Sequence, residues 1–110
     1  MAPGIDFNNW MFNNTDRFHI TIPVYIVAGE SDITVSANEH ARFFAKQIPT
    51  STLVILPGKV THWVFMNEST QEGKKLSPSI TIDDPSINRL AIHRYVGEMA
   101  LDFFKKNLVN

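Results

Sequence analysis

Two short stretches of this chain are apolar without interruption. Ile22–Gly29 reads Ile-Pro-Val-Tyr-Ile-Val-Ala-Gly, and Leu53–Leu56 reads Leu-Val-Ile-Leu. Neither alternates apolar with polar positions, so each suits a strand covered on both faces, as in a parallel sheet between helices. Pro23 fits only at the start of the first strand, where its missing N–H breaks no ladder. Ala28-Gly29 and Pro57-Gly58 close the two runs and place strands over about 23–28 and 53–56. Between them the period changes. Ala41, Phe44, Ala45 and Ile48 recur at helical spacing, Ser36-Ala-Asn-Glu39 matches a capping box, and Pro49 stops the pattern. This predicts a helix over 36–48. Strand, helix and strand in so short a span form a βαβ unit with parallel strands.

Downstream, Trp63–Met66 is a short apolar piece, and 67–83 reads as an irregular loop rich in Asn, Ser, Thr and Gly. Asp84-Pro85 supplies a cap and a first-turn proline, which predicts a closing helix over about 86–108. Ile92, Val96, Met99, Ala100, Phe103 and Phe104 stripe one side of that helix. Residues 1–21 combine turn formers with Phe7, Trp10, Met11, Phe12 and Phe18, and read as an irregular connection that packs its aromatics. The chain is thus expected to be one α/β domain or fragment: an aromatic segment 1–21, a βαβ unit 22–66, a loop 67–83 and a helical end 84–110.

Composition narrows the chemistry. A length of 110 residues with 44% hydrophobic content supports one ordinary core. Ten basic and eleven acidic residues leave a charge of −1, so neither nucleic acid nor an anionic membrane is an expected partner. The absence of cysteine removes disulfides, thiolate metal sites and cysteine nucleophiles. No apolar run is long enough to span a bilayer, and Met-Ala-Pro-Gly-Ile-Asp lacks the features of a secretory leader. A soluble, cytoplasmic chain is the expectation.

Asp32 follows the first parallel strand and His62 follows the second. Parallel strands bring their carboxyl ends to one edge, where sites in open α/β sheets are built. An aspartate beside a histidine is the orienting pair of a catalytic triad: the carboxylate selects the tautomer and stabilises the imidazolium. The spacing alone also accommodates a turn-capping Asp32 and an ordinary loop His62. His19, His40 and His93 lack the spacing of zinc ligands, and His40 falls on a polar helix position. No metal site is expected. Asp83-Asp84 offers two carboxylates; a helix cap accounts for Asp84, and Arg89 is placed to pair with Asp83 or Asp84 at the helix start. Trp63 either lines an acyl pocket or plugs the core.

Pro23–Asp32, followed by Leu53-Val-Ile-Leu-Pro-Gly58 and His62, resembles the last strands of an α/β hydrolase. In that fold the acid follows a Gly-x-x-Asp turn and the base follows the next strand. Along its whole length the chain is similar to the dienelactone-hydrolase-like proteins. The supporting pieces are Ala2-Pro3, His62-Trp-Val-Phe65, Asp84-Pro85, Arg89-Leu-Ala-Ile-His93 and Ala100-Leu-Asp-Phe-Phe104. The resemblance implies Asp32 as triad acid, His62 as base, a carboxylic ester or lactone as substrate, and no cofactor. It departs in two respects. The Gly-x-Ser-x-Gly elbow that carries the nucleophile is missing, since Gly29-Glu-Ser31-Asp-Ile33 lacks the closing glycine, and the oxyanion-hole segment is missing as well. The chain is therefore expected to be the C-terminal part of such a hydrolase: its last two strands, the helix between them and the closing helix, without the nucleophile. The alternative is a non-catalytic α/β module that binds a protein partner through its sheet edge. On either reading the bare edge of the first strand calls for cover, from the upstream half of the protein or from a second copy in a homo-oligomer.

Overall fold

Strand β1 covers Val24–Gly29 and β2 covers Ser51–Leu56, in a computed structural model that describes residues 20–108. They lie side by side and parallel, with Val24 opposite Ser51 and Gly29 opposite Leu56. Bonds from the Val24 amide to the Thr50 carbonyl and from the Glu30 amide to the Leu56 carbonyl bracket the ladder. Even-numbered residues of β1 therefore bond to β2, while Tyr25 and Val27 turn their backbone groups to the opposite edge. Among the described residues no third strand joins that edge.

Side chains alternate across the sheet. Tyr25 and Val27 meet α4, Arg89–Asn107, the long closing helix: Val27, Val54, Ile92 and Val96 pack around buried Leu56, Val60 and Val64. The Tyr25 ring meets Phe103 edge-on at 5.5 Å. Ile26 and Ala28 look the other way, toward the crossover helix. Apolar residues on both faces are thus explained by helices on both faces. Yet Val24–Ala28 are only half-buried, because two strands give each other shelter on one side only.

The crossover opens as a π-helical turn, Ala37–Ala41, and continues as α1, Arg42–Gln47. The capping box predicted at Ser36 does not form. The Ser36 side chain makes no cap bond; its carbonyl accepts from the His40 amide at 2.9 Å, and the turn then widens to the Arg42-to-Ala37 bond. The segment read as a loop over 67–83 also differs. It holds α2, Gln71–Leu76, capped by the Thr70 hydroxyl on the Gly73 amide, and α3, Pro78–Thr81, with proline at its first turn. Both are shorter than an isolated helix needs to persist, so they depend on their neighbours.

The closing helix starts later than its Asp84-Pro85 signal suggests. Asn88 is the cap and accepts from the Ala91 amide at 3.0 Å. Asp84 instead closes a separate turn, accepting from the Ser86 amide and hydroxyl. Those two bonds, the amide first, hold its carboxyl below the ordinary value. The reading of residues 1–19 as a packed aromatic segment, and His19 with it, lies outside the described residues. No helix among the described residues is long and apolar enough to cross a membrane.

Candidate active site

The turns that leave β1 and β2 are bonded to each other. The Ser31 amide donates to the Val60 carbonyl at 2.9 Å, and its hydroxyl donates to the Gly58 carbonyl at 2.6 Å. The Gly58 amide in turn donates to the Glu30 carboxylate. Gly58 has φ +81°, a left-handed value that suits glycine, so this return bond depends on the residue type. Gly29 is required for a different reason. A β-carbon there would lie 2.3 Å from the Val60 carbonyl oxygen, so the absence of a side chain lets the two turns touch. Replacing Gly29 with Ala is expected to destabilise the chain by about 1–3 kcal/mol through overpacking against backbone. A denaturant midpoint equal to that of the natural chain would contradict this account.

Stitched together in this way, the turns bring Asp32 and His62 into contact. Asp32 Oδ1 accepts from the Thr34 amide at 2.9 Å and the Val35 amide at 2.7 Å. Its Oδ2 accepts from His62 Nδ1 at 3.0 Å. The Asp32 side chain is only 7% exposed, whereas the imidazole is 38% exposed. A carboxylate fixed by two amides and facing Nδ1 selects one tautomer, because it can only accept. The Nδ1 proton then lies toward Asp32, and the lone pair sits on Nε2. Among the described residues no hydroxyl hydrogen-bonds to His62.

His62 begins a 3-10 turn, His62–Phe65, that the core holds from below. Val64 is fully buried, and its carbonyl accepts from His93 Nε2 at 2.6 Å. His93 is thereby a buttress of the turn that carries the candidate base. Arg89 holds the next residues along, donating to the Met66 and Asn67 carbonyls. Its partner at the helix start is Asp83, engaged through Nε at 2.9 Å and Nη2 at 2.8 Å. That leaves neither Asp83 nor Asp84 idle, and among the described residues no three His, Asp or Glu side chains gather as metal ligands.

His62 opens on a cleft of about 460 Å³ with Ile26, Ala28, Phe44, Trp63 and Met66 in its walls. Trp63 stands edge-on to the imidazole, 5.0 Å between centroids, and so lines the cleft. His40 is placed differently from its predicted polar position. It is half-buried and lines the same cleft, with Nδ1 3.2 Å from the Ser36 carbonyl. The π-helical turn is responsible, since it advances through a smaller angle per residue than an α-helix and swings residue 40 inward. The supporting roles of Glu30, Ser31 and Arg89's carbonyl contacts carried no sequence signal, because each depends on a backbone atom of a distant turn.

No family model, no curated protein and no solved structure matches the chain.

Proposed function

We propose that these residues are the C-terminal part of a serine-type α/β hydrolase that cleaves carboxylic esters or lactones. One observation carries the reading: Asp32 Oδ2 lies 3.0 Å from His62 Nδ1, with the carboxylate fixed by two amides and His62 lining an apolar cleft. The nucleophile would be a serine outside these 110 residues. Its hydroxyl would attack the acyl carbon as Nε2 takes the proton, and Nε2 would then give that proton to the departing alkoxide. Asp32 would stabilise the imidazolium between the two steps. Water would resolve the acyl-enzyme with the same base. Nothing in this sequence of steps requires a cofactor.

The test uses a fluorophosphonate, which marks activated serines. The 110-residue chain alone is expected to remain unlabelled and to hydrolyse p-nitrophenyl esters no faster than its denatured form. The natural polypeptide that contains it is expected to be labelled at one serine outside this region, and His62→Ala is expected to abolish that labelling. Stoichiometric labelling of Ser31, or of any serine within these residues, would overturn the assignment. A second reading, a non-catalytic module that adds a partner's strand, rests on the outward backbone groups of Tyr25 and Val27. It predicts a full-length protein that is inert to the probe and that binds an extended peptide.

A further inference from the structure

We propose that the outer face of α4 is a self-pairing surface, on which two copies of this chain dock helix against helix, antiparallel, about a two-fold axis level with Met99. This face is distinct from the core stripe of Ile92, Val96 and Phe103 and owes nothing to the catalytic reading. Along it run Leu90, Arg94, Gly97, Leu101, Phe104 and Leu108, separated alternately by four and three residues. That spacing is the seam of a helix pair. Its large members are open to solvent: Leu90 57% exposed, Leu101 56%, Phe104 52% and Leu108 73%. Exposed large apolar side chains aligned along one helix face in this way mark a contact surface.

The order of residues along the seam identifies the occupant. In an antiparallel pair centred at Met99, Leu101 falls opposite Gly97 of the other copy, Arg94 opposite Phe104, and Leu90 opposite Leu108. Each layer is complementary. A β-carbon at Gly97 would meet nothing within 4 Å, so the position is an open notch for a leucine knob. Arg94 has no ion-pair partner among the described residues, and Phe104 is braced edge-on by Phe103 at 5.3 Å, which leaves a ring face for the guanidinium. Parallel pairing would instead set Arg94 on Arg94 and leave notch against notch. Two-fold symmetry makes the surface its own complement, as an isologous dimer requires.

The area sets the strength. Half the circumference of a 19-residue helix amounts to about 500 Å² per copy, which only reaches the roughly 1,000 Å² total of a specific interface. Association is therefore expected in the micromolar to millimolar range. Sedimentation equilibrium of the 110-residue chain should show reversible dimers over about 10 µM to 1 mM. Leu101→Glu should weaken association at least tenfold with an unchanged circular dichroism spectrum. The informative variant is Gly97→Leu. It enlarges the apolar surface and removes a helix-interior glycine, yet by filling the notch it should also weaken association at least tenfold. Because the chain has no cysteine, mixing Gly97→Cys and Leu101→Cys chains should give a mixed disulfide in preference to either homodimer. A monomer throughout the concentration range overturns the proposal. So does a dimer indifferent to Leu101→Glu, or one strengthened by Gly97→Leu, which would be a sticky patch without register.

Discussion

On the hydrolase reading proposed above, Asp32→Asn is expected to lower turnover of the natural polypeptide by about 10⁴, the magnitude of the equivalent change in a serine protease. The structure indicates how. Oδ1 accepts from two backbone amides, so the carboxamide oxygen of an asparagine must take that place. Its NH₂ group then faces His62 Nδ1, where Oδ2 now accepts. A donor there forces the Nδ1 lone pair inward and moves the ring proton to Nε2, the atom that in the proposed mechanism receives the serine proton. The fold survives, since both amides keep their acceptor, while the base is disabled. Steady-state ester hydrolysis measures the loss, and imidazole nitrogen shifts in the 110-residue chain report the tautomer. A variant that retains a tenth of natural turnover, or a ring that keeps its proton on Nδ1, would remove Asp32 from the mechanism.

The largest expected effect on stability lies at Arg89. Its guanidinium is almost wholly buried, and its five N–H groups meet five acceptors: both Asp83 oxygens and the carbonyls of Ile80, Met66 and Asn67. Arg89→Met keeps most of the volume but strands the Asp83 carboxylate, only 11% exposed, and three carbonyls. Breaking a buried pair from one side costs about 3–5 kcal/mol. In a domain this small that lowers the melting temperature by about 15 °C or more. Arg89→Lys keeps the charge but loses the fork, and should fall between. The hydrogen-bonded Asp83 carboxylate raises the Arg89 pKa above its ordinary value, against the opposing effect of burial. A raised cationic pKa adds stability that persists below the unfolded value and fades only as pH climbs through the folded one. The contact should therefore be indifferent to alkali through pH 10, which thermal melts in a pH series would check. An Arg89→Met melt within 5 °C of the natural chain would show that the network is ornamental.

Some of this was legible in the residues and some was not. The strands could be read because each is a compact apolar run closed by glycine, and their parallel pairing follows from the helix between them. The contact of Asp32 with His62 follows from the same topology, without knowledge of either side chain's surroundings. The start of α4 misled because Asp84-Pro85 and Asn88 are both respectable caps. What decides between them is the need to hold Arg89 at the helix mouth against carbonyls of a different segment. Nothing in the local sequence carries that demand. α2 and α3 escaped notice because six and four residues are too few for periodicity to show. His40 was misplaced by the assumption of a regular first turn.

The bonded turns at the carboxyl edge also bear on which changes of chain length the protein can absorb. The exposed helix α2, Gln71–Leu76, touches neither Gly58 nor Val60, so residues added just before it, in the surface segment that follows Met66, would lengthen a connection at small entropic cost. One residue added between Gly29 and Asp32 is another matter. It would shift the amide that reaches Val60, break the exchange between Glu30 and Gly58, and present the carboxylate to the wrong face. The same holds for the five residues that separate Leu56 from His62. In these two turns the count of residues is held more tightly than most of their identities, and insertions and deletions among natural variants should stop at their borders.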